Sequence, residues 1–347
     1  MRFYTKQHKF YCGIDLHTKK MYLCILDEAG EIRVHRNIKT DRAVFLSVIA
    51  PYREDLVVAV ECMFTWYWIA DLCAKEGIPF ILGHALYMKA IHGGKAKNDK
   101  IDSHKIAALL RGGMMPMAYV YPERMRTTRD LLRRRNHFMR KRAELYAHIQ
   151  NTRSQYNLDD FFGRIAKPQN REGIVERFEH PCVQKSMAVD LEMISVYDPL
   201  IAQLEGYIIK TAKHHNPIAY ALLQTIPGVG RILGLVILYE IEHINRFPTV
   251  QDFVSYCRLV KCTKESNGKK YGASGKKIGN AHLKWAFSEA AALFLKGNEP
   301  GKRYLDRLTN KYGKAKALSI LAHRMGRAVY FMLKNKEAFN QKKFLGL

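Results

Sequence analysis

A mixed α/β domain followed by two helical regions is the architecture this sequence predicts, and three observations carry the prediction. Residues 10–27, FYCGIDLHTKKMYLCILD, hold two apolar runs broken at His17-Thr18-Lys19-Lys20, which reads as two strands joined by a tight turn. Residues 56–60, LVVAV, make a continuous apolar run of strand length, the mark of a strand covered on both faces. From residue 123 onward, apolar residues recur at three-four spacing over long stretches, as they do on helix faces.

The elements follow in order. Residues 31–37, EIRVHRN, alternate well enough for a third strand, with Gly30 marking the turn before it. Residues 40–52 read as a helix capped by Thr40 or Asp41, with Val44, Phe45, Val48 and Ile49 as its apolar face. Glu61 follows the fourth strand at once. An amphipathic helix over 64–76 carries Trp66, Trp68, Ile69 and Leu72 and ends at Gly77, and IPFIL at 78–82 forms a fifth strand. A basic, glycine-rich loop comes next, His92-Gly93-Gly94-Lys95-Ala96-Lys97-Asn98. Asp99 then opens a helix through Asp102, Ile106, Leu109 and Leu110 to Gly112, and Pro122 closes the domain. Three antiparallel strands followed by βα crossovers give a mixed sheet with helices on both sides, the order expected of a ribonuclease-H-like (RuvC-like) domain.

In that fold, metal carboxylates come from the first strand, the end of the fourth strand and the final helix. Asp15, Glu61, and Asp99 with Asp102 stand at those places. Asp99 and Asp102, three apart, share one helical face. A buried carboxylate is expensive without a partner, and Mg²⁺ prefers carboxylate oxygens. The four acids therefore predict a site for a pair of Mg²⁺ ions that stabilise the attacking and leaving oxygens of a phosphodiester. Each acid also has an ordinary reading: Asp15 as an exposed turn residue, Glu61 as the start of a loop, Asp99 as an N-cap with Asp102 in the favoured first turn. Their joint placement weighs against four coincidences.

Residues 123–156 form a long helical stretch whose apolar stripe is Leu131, Leu132, Phe138, Met139, Leu145, Tyr146 and Ile149. Arg133-Arg134-Arg135 and Arg140-Lys141-Arg142 are dense and have almost no acids within the runs, so Arg133, Arg134, Arg135, Arg140 and Arg142 are read as phosphate contacts, together with Lys95 and Lys97. Residues 159–185 read as loops and short helices. A second helix over 187–214 spaces Ile194, Tyr197, Ile201, Leu204 and Ile208 as a short heptad seam, with Pro199 expected to kink it. The two long helices predict an antiparallel coiled-coil arm suited to dimerisation. Residues 222–238, LLQTIPGVGRILGLVIL, have a helix-hairpin-helix signature, in which Gly228 and Gly230 bring free amides to a DNA phosphate. Residues 253–285 are rich in Lys, Gly and Ser, and place Ser266 in a flexible basic loop with Lys264, Lys269 and Lys270 near it. On composition alone Ser266 and Ser274 are equal candidates for a nucleophile. Residues 280–295 and 304–334 close a helical domain.

Of 347 residues, 57 are Lys or Arg and 32 are Asp or Glu, a formal net charge of +25 that makes nucleic acid the first partner to expect. No apolar run approaches the roughly 20 residues of a spanning helix. The first residues, MRFYTKQHK, have no secretory core. Seven cysteines without a Cys-x-x-Cys pair fit neither a disulfide framework nor a zinc ribbon. These features predict a cytoplasmic protein.

The chain resembles the insertion-sequence-110 transposases, the DEDD family of bridge-RNA-guided recombinases. The matching segments are Gly13-Ile14-Asp15-Leu16-His17 with Lys19-Lys20, the Glu61 strand end, Lys97-Asn98-Asp99-Lys100-Ile101-Asp102, Thr225-Ile226-Pro227-Gly228-Val229-Gly230, and the Ser266 loop running into Ile278-Gly279-Asn280. They span nearly the whole chain in the family's order. The resemblance implies a RuvC-like domain (1–122) that supplies the four acids, a coiled-coil arm (123–215), and a C-terminal transposase domain (216–347). It further implies that the C-terminal domain supplies a serine that forms a covalent link to DNA, and that serine maps onto Ser266, since Ser274 does not fit the family's Ser-x-Gly pattern. Donor and target DNA, a non-coding bridge RNA, and a homo-oligomer, dimeric and then tetrameric at synapsis, are the partners it implies. Arg258 and Lys261 stand where the family commonly has Gly and Pro, and 159–185 looks longer than usual. Two other readings compete: a junction-resolving metal nuclease that needs no serine, and a nucleic-acid scaffold whose acids are structural.

Overall fold

The computed structural model describes residues 2–91, 98–212, 215–274 and 278–346, and the chain forms two compact units, Met1–Arg124 and Met125–Leu347. In the first unit, a short β1 (Phe3–Tyr4) precedes the main strands β2 (Phe10–Leu16), β3 (Lys20–Asp27), β4 (Ile32–Lys39), β5 (Leu56–Glu61) and β6 (Phe80–Gly83). The sheet order is β4-β3-β2-β5-β6; β2, β3 and β4 pair antiparallel, while β5 runs parallel to both β2 and β6. The helices are α1 (Arg42–Ile49), α2 (Tyr67–Lys75), α3 (Ala85–Ile91) and α4 (Asp99–Arg111). A two-residue β7 (Met115–Pro116) pairs with β1.

Alternation along the strands divides the core into two layers. Cys12, Ile14, Val58 and Val60 face one way and pack with Phe45, Ile49, Ile69 and Cys73 of α1 and α2. Tyr11, Val57 and Ala59 face the other way, against Ile106, Leu109 and Leu110 of α4. Gly13 fixes how closely α4 lies on the sheet. A Cβ there would sit 2.3 Å from the Ala107 nitrogen and 2.4 Å from the Ser103 carbonyl oxygen, so only glycine lets helix backbone and strand backbone meet.

The second unit opens with α5 (Glu123–Gln155) and α6 (Pro181–Thr211), which run antiparallel and are tied by the pairs Arg135–Glu205, Arg142–Asp198 and His148–Asp190. Helix α6 continues through Pro199. The heptad seam expected to serve a second copy is largely taken up within the chain: Ile194, Ile201 and Ile208 are buried, and Tyr197 and Leu204 are half-buried. Helices α7 (Pro217–Gln224), α8 (Arg231–Ile241) and α9 (Val250–Tyr256) follow, then strands β8 (Cys262–Ser266) and β9 (Lys269–Ser274). Helices α10 (Ala281–Phe294), α11 (Glu299–Tyr312), α12 (Lys314–Asn335) and α13 (Gln341–Leu345) close the unit around Leu235, Phe253, Phe287, Leu321 and Met325.

One element differs in kind from its expectation. The flexible loop anticipated at Ser266 is a tight hairpin, in which Ser266 faces Lys269 across a two-residue turn. Asn267 and Gly268 carry φ of 49° and 71°, both in the left-handed region, as a type I′ turn demands.

Candidate active site

The carboxylates gather at the carboxyl edge of the sheet. Ile14 pairs with Val60, so Asp15 and Glu61 follow side by side on neighbouring parallel strands. Asp99 opens α4, and the cap of that helix is Asn98, whose side chain accepts from the Ile101 amide at 2.8 Å. Asp99 is therefore released from the capping role. Asp102 lies one turn further along.

Electrostatics shows three of these acids converging. Burial pushes the half-buried Asp15 carboxyl up from its ordinary range, His17 opposes the rise, and the charges of Asp99 and Asp102 add to it. Lys105 Nζ stands 3.7 Å from Asp102 Oδ1. His17 joins the cluster: its Nε2 is 3.5 Å from Asp15 Oδ2 and 3.6 Å from Asp99 Oδ1. Asp15, His17 and Asp99 each present a ligand atom within 4.8 Å of the others. Two carboxylates and an imidazole, with Asp102 one turn along α4 and Glu61 on the neighbouring strand, could hold a divalent metal ion. Reading acids alone passes over His17, although its place two residues after Asp15, just past the end of β2, gives the signal.

Ser266 stands in the other unit, exposed at the end of β8, with Lys269 exposed opposite. The side chains of Lys264, Lys270 and Ser274, and all of Lys95 and Lys97, lie outside the described residues. The stem of the serine hairpin is clamped where the chain enters and leaves it. Arg258 Nε donates to the Gly279 carbonyl at 2.9 Å, and the Asn280 amide donates to the Tyr256 carbonyl at 2.6 Å. Gly279 has φ +92°, and a Cβ there would meet the Tyr256 carbonyl oxygen at 2.5 Å.

Asn280 connects this stem to the core. Its side-chain oxygen accepts from the amides of His282 and Leu283, and its Nδ2 donates to Glu240 Oε2 at 2.7 Å. Glu240 also accepts from Arg129 at 2.9 Å and from Arg133 at 2.6 Å. Burial alone would raise the Glu240 carboxyl, but the bond and charge of Arg133, the charge of Arg129 and the Asn280 bond outweigh it and hold the group at about 2. His282 beside it is held down at about 4, by burial first and by Arg133 next.

The five arginines expected on phosphate divide into two groups. Arg133, Arg135 and Arg142 bond to Glu240, Glu205 and Asp198, acids of α8 and α6 that a count along the arginine runs does not see. Arg134 and Arg140 are exposed, and the Arg134 guanidinium lies over the Phe138 ring at 4.5 Å. The two glycines between α7 and α8 divide likewise. Gly228 has φ +85°, and a Cβ there would meet the Leu293 backbone at 2.6 Å, so α10 packing requires it. Gly230 is the N-cap of α8, faces open space and offers no side chain to its amides.

Two family models match the chain. Residues 12–158, which contain Asp15, Glu61, Asp99 and Asp102, match the IS110 DEDD transposase model. Residues 220–306, which contain Gly228, Gly230 and Ser266, match the model of the transposase IS116/IS110/IS902 family. The transposase for insertion sequence element IS1111A of Coxiella burnetii (strain RSA 493 / Nine Mile phase I) is 24% identical over 346 residues, covering 94% of this chain and 90% of that protein.

Proposed function

The chain is a DNA transposase of the IS110 family, and from that premise we propose that it cuts and rejoins DNA with two centres, a divalent-metal carboxylate site and the Ser266 hydroxyl. The observation that carries the reading is the convergence of Asp15, His17 and Asp99, with Asp102 close enough to raise the Asp15 carboxyl. Asp15, Glu61, Asp99 and Asp102 are the residues that would hold two Mg²⁺ ions on a ribonuclease-H-like, RuvC-like sheet. The ions supply Lewis-acid stabilisation of charge on the scissile phosphate.

The chain's own groups do the rest. Ser266 Oγ attacks phosphorus and forms a phosphoserine bond as one P–O ester bond of the strand breaks. The serine proton is carried to the departing strand oxygen, and rejoining reverses the step. The exposed hairpin tip presents the hydroxyl without a steric barrier, and Lys269 steadies the phosphate. Arg134, Arg140 and the open N-terminus of α8 at Gly230, in a helix-hairpin-helix, bind backbone phosphates. Residues 1–122, 123–215 and 216–347 act as catalytic domain, arm and transposase domain. Base reading falls to a bridge RNA that pairs with donor and target DNA in the cytoplasm. Among the described residues no helix is long and apolar enough to cross a membrane.

A second copy docks on the outer side of α6 rather than on its buried seam. Val189, Met193, Val196, Leu200 and Tyr207 are 44%, 40%, 48%, 40% and 59% exposed, which leaves a second apolar stripe at coiled-coil spacing open to a homo-oligomer.

The test combines cleavage and trapping. Asp15→Asn and Asp102→Asn abolish strand cleavage while DNA binding persists, and excess chelator does the same to the wild type. A covalent protein–DNA adduct forms with the wild type and with Ser274→Ala and is lost with Ser266→Ala. An adduct that survives Ser266→Ala refutes the nucleophile. Cleavage without any adduct points to a metal nuclease of the junction-resolving kind.

A further inference from the structure

Residues 299–347 hold twelve Lys and Arg against three acids, a surplus of nine. Between α12 and the segment entering α13 lies a cleft of about 400 Å³, a size usual for a small-ligand site. Phe331, Met332 and Phe344 line it, and Phe331 is 46% exposed there. The Phe331 ring is held edge-on to Tyr330, centroids 5.4 Å apart, and the buried Tyr330 hydroxyl donates to the Pro248 carbonyl at 3.1 Å. The aromatic surface is thus fixed in place before any ligand arrives.

Cations line the same cleft: Arg324, Arg327 and Lys343. Arg324 is positioned by neutral groups, donating to the Tyr304 hydroxyl at 2.8 Å and lying over the Tyr304 and Phe344 rings at 5.1 and 5.5 Å. Its charge is oriented, and among the described residues no ion pair engages it. Glu337 also lines the cleft, and among the described residues no ion pair joins it to these three cations. A rigid aromatic face beside fixed guanidinium charge is the arrangement that takes a nucleobase by stacking and its phosphate by charge.

We propose that this cleft binds one unpaired nucleotide of a single-stranded nucleic acid, with the base on Phe331 and the phosphate on Arg324, Arg327 and Lys343. The charge surplus favours this occupant over a protein segment, which would need several carboxylates to match it. The inference rests on the family's action on DNA and is independent of the roles given to Asp15 and Ser266.

Fluorescence anisotropy of full-length protein with labelled oligo-dT, oligo-U and blunt duplex DNA tests it. Phe331→Ala should weaken single-strand binding about tenfold and leave duplex binding unchanged. Arg327→Gln and Lys343→Gln should each reduce the salt slope of single-strand binding by about 0.7. The strand type that shows these losses, DNA or RNA, identifies the ligand's source. Since Lys343 is exposed, its replacement separates lost binding from lost folding, and thermal melts monitor both variants. Single-strand affinities within twofold of wild type for both Phe331→Ala and Lys343→Gln overturn the proposal. So does a Phe331→Ala effect confined to sedimentation, which would make the cleft a protein interface.

Discussion

Asp15 and Glu240 are carboxylates withdrawn from water in opposite company. Glu240 is 2% exposed, and Arg129, Arg133 and Asn280 satisfy it and hold it at about 2. Asp15 is only half-buried, yet its carboxyl is raised, because burial acts on it while Asp99 and Asp102 crowd it. Glu240 is surrounded by donors and positive charge, and Asp15 by His17 and two further carboxylates. Burial raises both carboxyls, and the neighbours decide the outcome: the arginines and Asn280 bring Glu240 down, while Asp99 and Asp102 add to the rise of Asp15 against His17.

The largest test of this contrast breaks the Glu240 site. Glu240→Ala leaves the buried Arg129 without its partner and should cost about 3–5 kcal/mol in denaturant unfolding. Glu240 has a depressed carboxyl, so its contribution is fully present above about pH 4.5 and lost as pH falls toward 2. Over that window the wild type should lose about 3 kcal/mol more than Glu240→Ala, measured by pH-dependent melts. A change below about 1 kcal/mol for the variant would dissolve the contrast from the Glu240 side.

A middle-sized effect is expected at Gly13. The added methyl of Gly13→Ala meets helix backbone, so α4 must lift from β2 and carry Asp99 and Asp102 away from Asp15. About 1–3 kcal/mol of stability should go, and strand cleavage should fall by more than DNA binding does. Unchanged melting would show that the helix yields freely.

The smallest effect has the opposite sign. A carboxyl raised in the folded state makes stability fall as pH rises through the carboxylate range. Asp15→Asn should therefore melt slightly above the wild type at pH 7 while being inactive in cleavage. Added Mg²⁺ should raise the wild-type melting temperature and leave that of Asp15→Asn unmoved. A wild type that melts above Asp15→Asn without metal would place Asp15 among the structural acids.

Much of this was legible in the sequence because strands are written in runs. Residues 10–27 and 56–60 carry the pattern that forms β2, β3 and β5, and Asp15 and Glu61 stand at strand ends where periodicity stops. Elements too short for a period, β1, β7 and α3, leave no such mark. The hairpin at Ser266 was signalled by Asn267-Gly268, but its strands are lysine-rich and lack apolar alternation to announce them. Partners distant in the chain were the least legible: Glu240 lies 107 residues from Arg133, so the arginine run appeared unpaired. The heptad of α6 was plain in spacing, yet spacing alone does not say which of its two apolar stripes the chain keeps for itself.

The clamp between Arg258 and Gly279 bears on how such an enzyme diversifies. The chain enters and leaves the serine hairpin at one point, where the Arg258 and Asn280 hydrogen bonds hold the two ends together. Closing a longer loop over a fixed stem adds free energy only as the logarithm of its length. A longer turn between β8 and β9, closed over this stem, should therefore cost the fold little. That turn is ground on which new chemistry can be tried while Asn280 keeps the scaffold in register.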